Sequence, residues 1–185
     1  LHARMRKGSA GSARGVVRFA DELIARVRRG GVDGQITVRA DSGFWSEKLI
    51  DRCVHLNVGY SVTVKRTSRM WDLINTIGED RWEPIVYPAG VAQVAQIFDD
   101  KWGRIICRRV RNTRDGALFD TWEHHAFITS NGLPTVEADA YHRAHAIVEL
   151  NIRDLKAGGL AHIPSADRHA NAAWVICAGI AHNIA

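Results

Sequence analysis

No apolar run in the sequence approaches the roughly eighteen residues that a membrane-crossing helix needs, and no secretion signal is visible. A membrane protein is thereby disfavoured, and a cytoplasmic one is expected. Cysteine is scarce. Cys53, Cys107 and Cys177 stand far apart, in none of the spacings that bind zinc or carry dithiol chemistry, so free thiols in a reducing compartment are the simplest account. His124, His125, His142 and His145 form no recognised zinc spacing either, and no cysteine pair supports them. Acidic residues are outnumbered, 20 against 25 basic ones, and the formal charge of +5 favours a polyanionic partner such as nucleic acid. An initiator methionine is lacking too: Leu1 comes first, and the closing segment stays apolar to Ala185 without a helix-terminating signal. Both features lead us to expect a fragment of a longer protein.

What is present suffices for a sizeable core. With 46% of its 185 residues apolar, the chain fits one ordinary domain, or one domain carrying a large insertion. The stretch ITVRADSGFW, from Ile36 to Trp45, declares chemistry most plainly. Ile36, Val38 and Ala40 alternate with Thr37, Arg39 and Asp41, the period-two pattern of a strand with two different faces, and Ser42 and Gly43 end it. A carboxylate delivered to the C-terminal end of a strand sits at the usual ligand-binding edge of an open α/β sheet. Equally, an Asp there caps the helix that follows.

Upstream, residues 1–11 read as the tail of a strand running into a loop. Ser12 is the expected N-cap of an amphipathic helix over 13–29, in which Val16, Val17, Phe19, Ala20, Leu23, Ile24 and Val27 recur at three- and four-residue spacing. Gly30, Gly31 and Gly34 end it. Downstream, Ser46 starts a helix through about Leu56 on the stripe Leu49, Ile50, Cys53 and Val54, and GYSVTVK at 59–65 alternates as a strand. Strand, helix, strand is a unit suited to a parallel sheet with a right-handed crossover.

Between Arg66 and Asn131 the chain turns β-rich, with strands expected at 83–87, 91–98, 104–111 and 124–129 and turns at 88–90, 101–103 and 114–116. The run RIICRRVRNTR puts Arg104, Arg108, Arg109, Arg111 and Arg114 on one ribbon. It reads either as a phosphate-tracking surface or as an edge strand protected by charge. After Asn131, Gly132 and Pro134, a long helix is expected from Thr135 to Lys156, with Tyr141, His145, Val148, Glu149, Ile152 and Lys156 along one stripe. Alone, that polar set is an ordinary solvated face. A last helix, from about Asp167, is nearly all small and apolar and is expected to lie buried against a sheet.

Asp41 at a strand end and Glu149 on a helix packed across that sheet are the donor type for two divalent metals about 3.5–4 Å apart. Such a pair activates a water or 3′-hydroxyl and stabilises the leaving oxygen of a phosphodiester. Oxygen ligands suit Mg²⁺ or Mn²⁺.

The segments VRADSGFWS, GYSVTVK, AYHRAHAIVELNIRDLKAGGLAHIPS and ANAAWVICAGIAHN together resemble insertion-sequence transposases of the DDE class, over nearly the whole chain. The resemblance implies an α/β fold: an RNase H-like mixed sheet flanked by helices, with a β-rich insertion between the second and third acidic residues. Residues 1–65 would be the first part of the catalytic core, 66–131 the insertion, and 132–185 the C-terminal helices of the core. It also implies an enzyme that cuts and joins DNA at the ends of an insertion sequence with two Mg²⁺ or Mn²⁺ ions. Its partners would be double-stranded DNA, as terminal inverted repeats and target, and a second copy in a synaptic homodimer.

Asp41 matches the second acidic residue and Glu149 the third, both catalytic and metal-binding. The subgroup carries a Tyr, Arg, Glu, Lys signature on the helix of its Glu, and here Glu149 and Lys156 keep the six-residue interval. The Arg position is His145, and Tyr141 stands one residue early. Lys156 is expected to contact phosphate or a flipped base, and Arg143 or Arg153 to replace the missing Arg as a phosphate clamp. Tyr141 and His145 complete the expected DNA contacts. The family's first Asp is expected ahead of Leu1, since Asp21 lies in mid-helix. Lacking one carboxylate of three, residues 1–185 are expected to have little or no catalysis of their own. The alternatives are a non-catalytic DNA-binding remnant of a transposase and a metal-dependent nuclease on the same fold.

Overall fold

The computed structural model describes residues 11, 13–88, 90–112, 121–144 and 146–184. The readings made for residues 1–10, for Ser12, for the turn at 114–116 and for His145 lie outside the described residues. The chain falls into two compact units, one spanning Ser12–Arg143 and the other holding Ala144–Ala185.

The larger unit is a mixed six-stranded sheet flanked by helices, as the α/β reading requires. Its strands are β1 (Thr37–Ala40), β2 (Gly59–Thr63), β3 (Glu83–Ile85), β4 (Ala92–Asp99), β5 (Gly103–Asn112) and β6 (Thr121–Thr129), in the order β1-β2-β6-β5-β4-β3. Its helices are α1 (Val16–Arg29), α2 (Glu47–His55), α3 (Ser68–Asn75) and α4 (Thr135–Arg143). β1 and β2 run parallel, with Ala40 opposite Val62, and α2 makes the crossover. β6 pairs antiparallel with β2 on one side and β5 on the other. The strands of the 66–131 region therefore continue the sheet that β1 and β2 begin.

Period-two alternation sorts the core. Val62, Ile105, Cys107, Ala126 and Ile128 turn to one face, where Ile50 of α2 and Met70 and Ile74 of α3 cover them. Val16, Ala20 and Ile24 of α1 close over Leu49 and Cys53 of α2. On the opposite face Ile106 and Phe127 meet Ala138 of α4. Burial of each Val, Leu, Ile, Met or Phe among them contributes about 1.5–3 kcal/mol. Burial also pushes the Cys53 thiol up to about 11 and the Cys107 thiol up to about 12, so neither is a nucleophile near neutral pH.

Three helix boundaries depart from the sequence reading. α1 begins at Val16, not at 13, because Gly15 takes a left-handed conformation (φ 76°) that the helix cannot include. α3 lies inside the stretch read as β-rich. Thr67 starts it by accepting the Met70 N–H at 3.3 Å, and Met70 and Ile74, one turn apart, are buried. The long helix from Thr135 to Lys156 is two helices, α4 and α5 (Ala146–Ala157), with Ala144 in a turn. No Gly or Pro marks that break; α4 instead ends where its side chains are fastened to the sheet.

In the smaller unit α6 (Arg168–Ile184) is capped by Asp167, which accepts the Ala170 N–H at 2.7 Å. Trp174 Nε1–H donates to the Gly159 carbonyl at 2.6 Å, and Asn171 exchanges two hydrogen bonds with the Ser165 backbone. No sheet belongs to this unit among the described residues, and Trp174, Ile176, Ile180 and Ile184 are exposed.

The arginine ribbon is not an edge: β5 is an inner strand, and its described arginines meet protein groups. Arg104 donates to Gln96 and to the Asn131 carbonyl, and Arg109 makes two bonds to Glu79 between the rings of Trp82 and Trp122. On the other face Arg108, 13% exposed, reaches Asp139, which is fully buried on α4 and also accepts from Arg143. Arg111 lies over Trp122, and Arg114 is outside the described residues.

Breaking a buried ion pair by removing one partner costs about 3–5 kcal/mol, because the other charge is left uncompensated. Asp139→Ala is therefore expected to lower the unfolding free energy by about that amount in urea titrations. A loss below about 1 kcal/mol, the range of a surface pair, would show that Asp139 does not hold α4.

Candidate functional site

Asp41 follows β1 directly and keeps an extended backbone (φ −79°, ψ 175°), so the strand's alternation carries through it. Its Oδ1 accepts the Gly43 N–H at 2.8 Å and caps a short 3₁₀ turn over Ser42–Phe44. Asp41 thus caps this turn and not α2, whose N-cap is Ser46, and Asp41 is exposed.

The segment after it is stitched to the turn between β4 and β5. Trp45 stands edge-on to Trp102 at 5.5 Å, and Glu47 accepts from the Lys101 ammonium at 2.8 Å and from Trp102 Nε1–H at 3.2 Å. The hydrogen bond from Lys101 chiefly holds the Glu47 carboxyl below its usual range. Asp99 shapes that turn by accepting the N–H groups of Lys101 and Trp102, and it pairs with Arg69 at 2.7 Å. Burial opposes its ionisation. The Trp102 N–H, Arg69 and the Lys101 N–H outweigh that and keep the carboxyl low.

β2 ends at Thr63, but the β5–β6 ladder runs on, through Arg109 opposite His124 to Asn112 opposite Thr121. This step in the sheet opens a cleft of about 320 Å³ past the strand end, lined by Ser42, Thr63, Lys65, Arg66, Trp71, His124 and His125 among others. None of its lining residues is acidic. Lys65 and Arg66 are exposed, Arg66 pairing with Glu123 at 2.8 Å. His124 packs edge-on against Trp71 and Trp82. Burial first, then the Arg109 charge, depresses its pKa; for His125 burial is likewise first and the Arg108 charge second.

On the face covered by α4, His142 spans two hydroxyls of β2. Its Nδ1 lies 2.7 Å from Ser61 Oγ and its Nε2 3.1 Å from Thr63 Oγ1, and the ring stacks on Phe127 at 3.9 Å. Tyr141 is exposed, with the Arg39 guanidinium 4.2 Å over its ring. Arg143 Nε donates to Asp139 at 2.8 Å and the guanidinium lies 5.6 Å from the Tyr87 ring.

The fold thus brings Asp41, Tyr141 and Arg143 to the larger unit. Glu149, Arg153 and Lys156 sit together on α5, all exposed, Glu149 and Lys156 two turns apart on one helix face. Arg153 Nε is 3.7 Å from Asp154. His145 lies outside the described residues. Sequence reasoning missed the cleft residues Lys65, Arg66, His124 and His125 as a group, and it missed Arg39, whose place on the strand face of Asp41 was readable from alternation.

Asp41 offers the hard oxygen donor that Mg²⁺ and Mn²⁺ prefer. No group of three His, Cys, Asp or Glu side chains converges among the described residues. The donor chemistry fits a divalent metal, while Asp41 with its own neighbours does not complete a ligand set.

A family model described as transposase DDE domain group 1 matches residues 1–185. No curated protein matches the chain.

With His124 and His125 depressed below 6.5, the unfolded chain takes up protons more readily than the folded one. Their contribution is complete above pH 6.5 and is lost as the pH falls through the depressed values. Glu47, Glu79 and Asp99 act with the same sign, but only below about pH 4.5. The melting temperature is expected to fall between pH 7 and 5, and the double variant His124→Gln, His125→Gln to flatten that window. Parallel curves for the two proteins would contradict the assignment.

Proposed function

The chain belongs to the DDE-domain transposases, and on that footing we propose that it is part of an enzyme that cleaves DNA strands at the ends of an insertion sequence and transfers them to a target, with Asp41 and Glu149 as catalytic carboxylates and little or no cleavage by residues 1–185 alone. The observation that carries this reading is the placement of Asp41. An exposed carboxylate follows a parallel strand directly, and the residue after it lines a cleft whose lining holds Lys65 and Arg66 and no acidic residue. That is a setting for a phosphodiester rather than for a cationic or neutral substrate.

Asp41 and Glu149 would hold Mg²⁺ or Mn²⁺, which when bound supplies Lewis acidity at the phosphate and a lower pKa to the attacking water or 3′-hydroxyl. Lys65 and Arg66 at the cleft, with Arg153 and Lys156 on α5, lower the cost of bringing a polyanion to these carboxylates. Arg143 reaches the backbone with the N–H donors that Asp139 leaves over, and Tyr141 lies beside it on α4. His145 completes the expected contacts. Residues 66–131 act as the β-rich insertion between core parts 1–65 and 132–185. The DNA is double-stranded, as terminal inverted repeats and target, and two copies act together to bring two ends into one complex. No helix among the described residues is long and apolar enough to cross a membrane.

In Mg²⁺ the intact transposase is expected to nick its terminal inverted repeat. Asp41→Ala and Glu149→Ala are each expected to lower that rate at least about a hundredfold, as the loss of several kcal/mol of charge stabilisation requires, with DNA binding retained. Undiminished nicking in both variants would overturn the roles given to these residues. An intact protein that binds the repeat but never cuts it would favour a binding remnant.

A further inference from the structure

Arg39 stands two residues before Asp41 on β1, opposite Ser61. Ser61 turns to α4, where its hydroxyl meets His142, and the Arg39 guanidinium meets Tyr141 of the same helix. Arg39 and Ser61 therefore share the α4 face, and alternation places the Asp41 side chain on that face too. Residues two apart on a strand are separated by about 6.6 Å along it, so the two side chains leave the same face as neighbours.

Arg39 is half-buried, and its guanidinium lies 4.2 Å over the Tyr141 ring. Stacking occupies its flat face and leaves the N–H donors around its edge, the geometry that takes a phosphate with two parallel bonds. Among the described residues Arg39 has no carboxylate or carbonyl acceptor. Comparably buried arginines differ: Arg52 ends on Asp21, Arg104 on Gln96 and Asn131, Arg108 and Arg143 on Asp139, and Arg109 on Glu79. A guanidinium stacked on a ring with its donors open, on the strand face of an exposed carboxylate, suits an anion.

We propose that Arg39 is a phosphodiester-binding residue beside Asp41, with Tyr141 as the platform that positions its guanidinium. The ligand is the backbone phosphate of DNA at the strand to be cut. The inference rests on the reading of Asp41 as a residue of the DNA-cleaving site, and it gives Tyr141 a positioning role in place of a direct contact.

The test is binding of a duplex oligonucleotide to the chain, followed by fluorescence anisotropy across a salt series, for wild type, Arg39→Ala, Arg39→Gln, Arg39→Lys, Tyr141→Ala and Tyr141→Phe. Losing one phosphate contact reduces the slope of log affinity against log salt by about one. Arg39→Ala is expected to show that loss with an unchanged melting temperature, and Arg39→Gln keeps the bulk should the alanine variant not fold. Arg39→Lys is expected to keep the slope and bind more weakly, since a point charge replaces the fork. Tyr141→Ala is expected to weaken binding several-fold at an unchanged slope, and Tyr141→Phe to match wild type because stacking needs no hydroxyl. Wild-type binding with an unchanged slope in Arg39→Ala and Arg39→Gln overturns the clamp alone. Equal weakening in Tyr141→Phe and Tyr141→Ala overturns the stacking role. Absence of DNA binding by wild type overturns both the clamp and the function on which it rests.

Discussion

A carboxylate with no solvent exposure needs partners for its oxygens, and Asp139 finds them in Arg108 from the sheet and Arg143 from its own helix. This arrangement determines where α4 lies on the sheet. With α4 placed, His142 reaches both hydroxyls of β2 and Tyr141 comes under Arg39. One buried charge thus sets the wall that faces the exit of β1, and the geometry around Asp41 depends on it.

The sheet explains the rest of the site. β5 alternates apolar and arginine side chains on both faces. Arg109 is sandwiched by Trp82 and Trp122 on one side and Arg108 is neutralised by Asp139 on the other, so a strongly basic strand sits inside the sheet without unpaired charge at these two positions. Because β5 and β6 outrun β2, the sheet has a step rather than a flush edge, and the step is the cleft. Asp41 meets that step at a fixed place because the segment after it is pinned through Trp45 and Glu47 to the turn at Asp99–Gly103.

Alternation at Ile36 to Asp41 and at Gly59 to Lys65 made β1, β2 and their parallel pairing legible in the sequence, and turn residues located β3 to β6. Less legible were features decided by contacts between distant residues. Arg108 and Asp139 are 31 positions apart, so nothing in the local pattern of RIICRRVRNTR showed that its arginines face inward. The break between α4 and α5 carries no Gly or Pro, and the stripe from Tyr141 to Lys156 is continuous as a pattern although the helix is not. α3 was hidden by Trp71 and its β-prone surroundings, although Thr67 followed by Met70 and Ile74 held the cap and the stripe. Asp41 could be read as a candidate from its strand end, and Glu149 through its pairing with Asp41 and then the family resemblance.

That Asp41 and Glu149 serve one divalent metal centre is tested most directly by letting Fe²⁺ replace Mg²⁺ and cut the nearby backbone through hydroxyl radicals. Cleavage is expected in two segments, around Asp41 and around Glu149, with both sets of cuts suppressed together by excess Mg²⁺. Cuts at one segment only, or cuts that Mg²⁺ does not suppress, would contradict the shared centre.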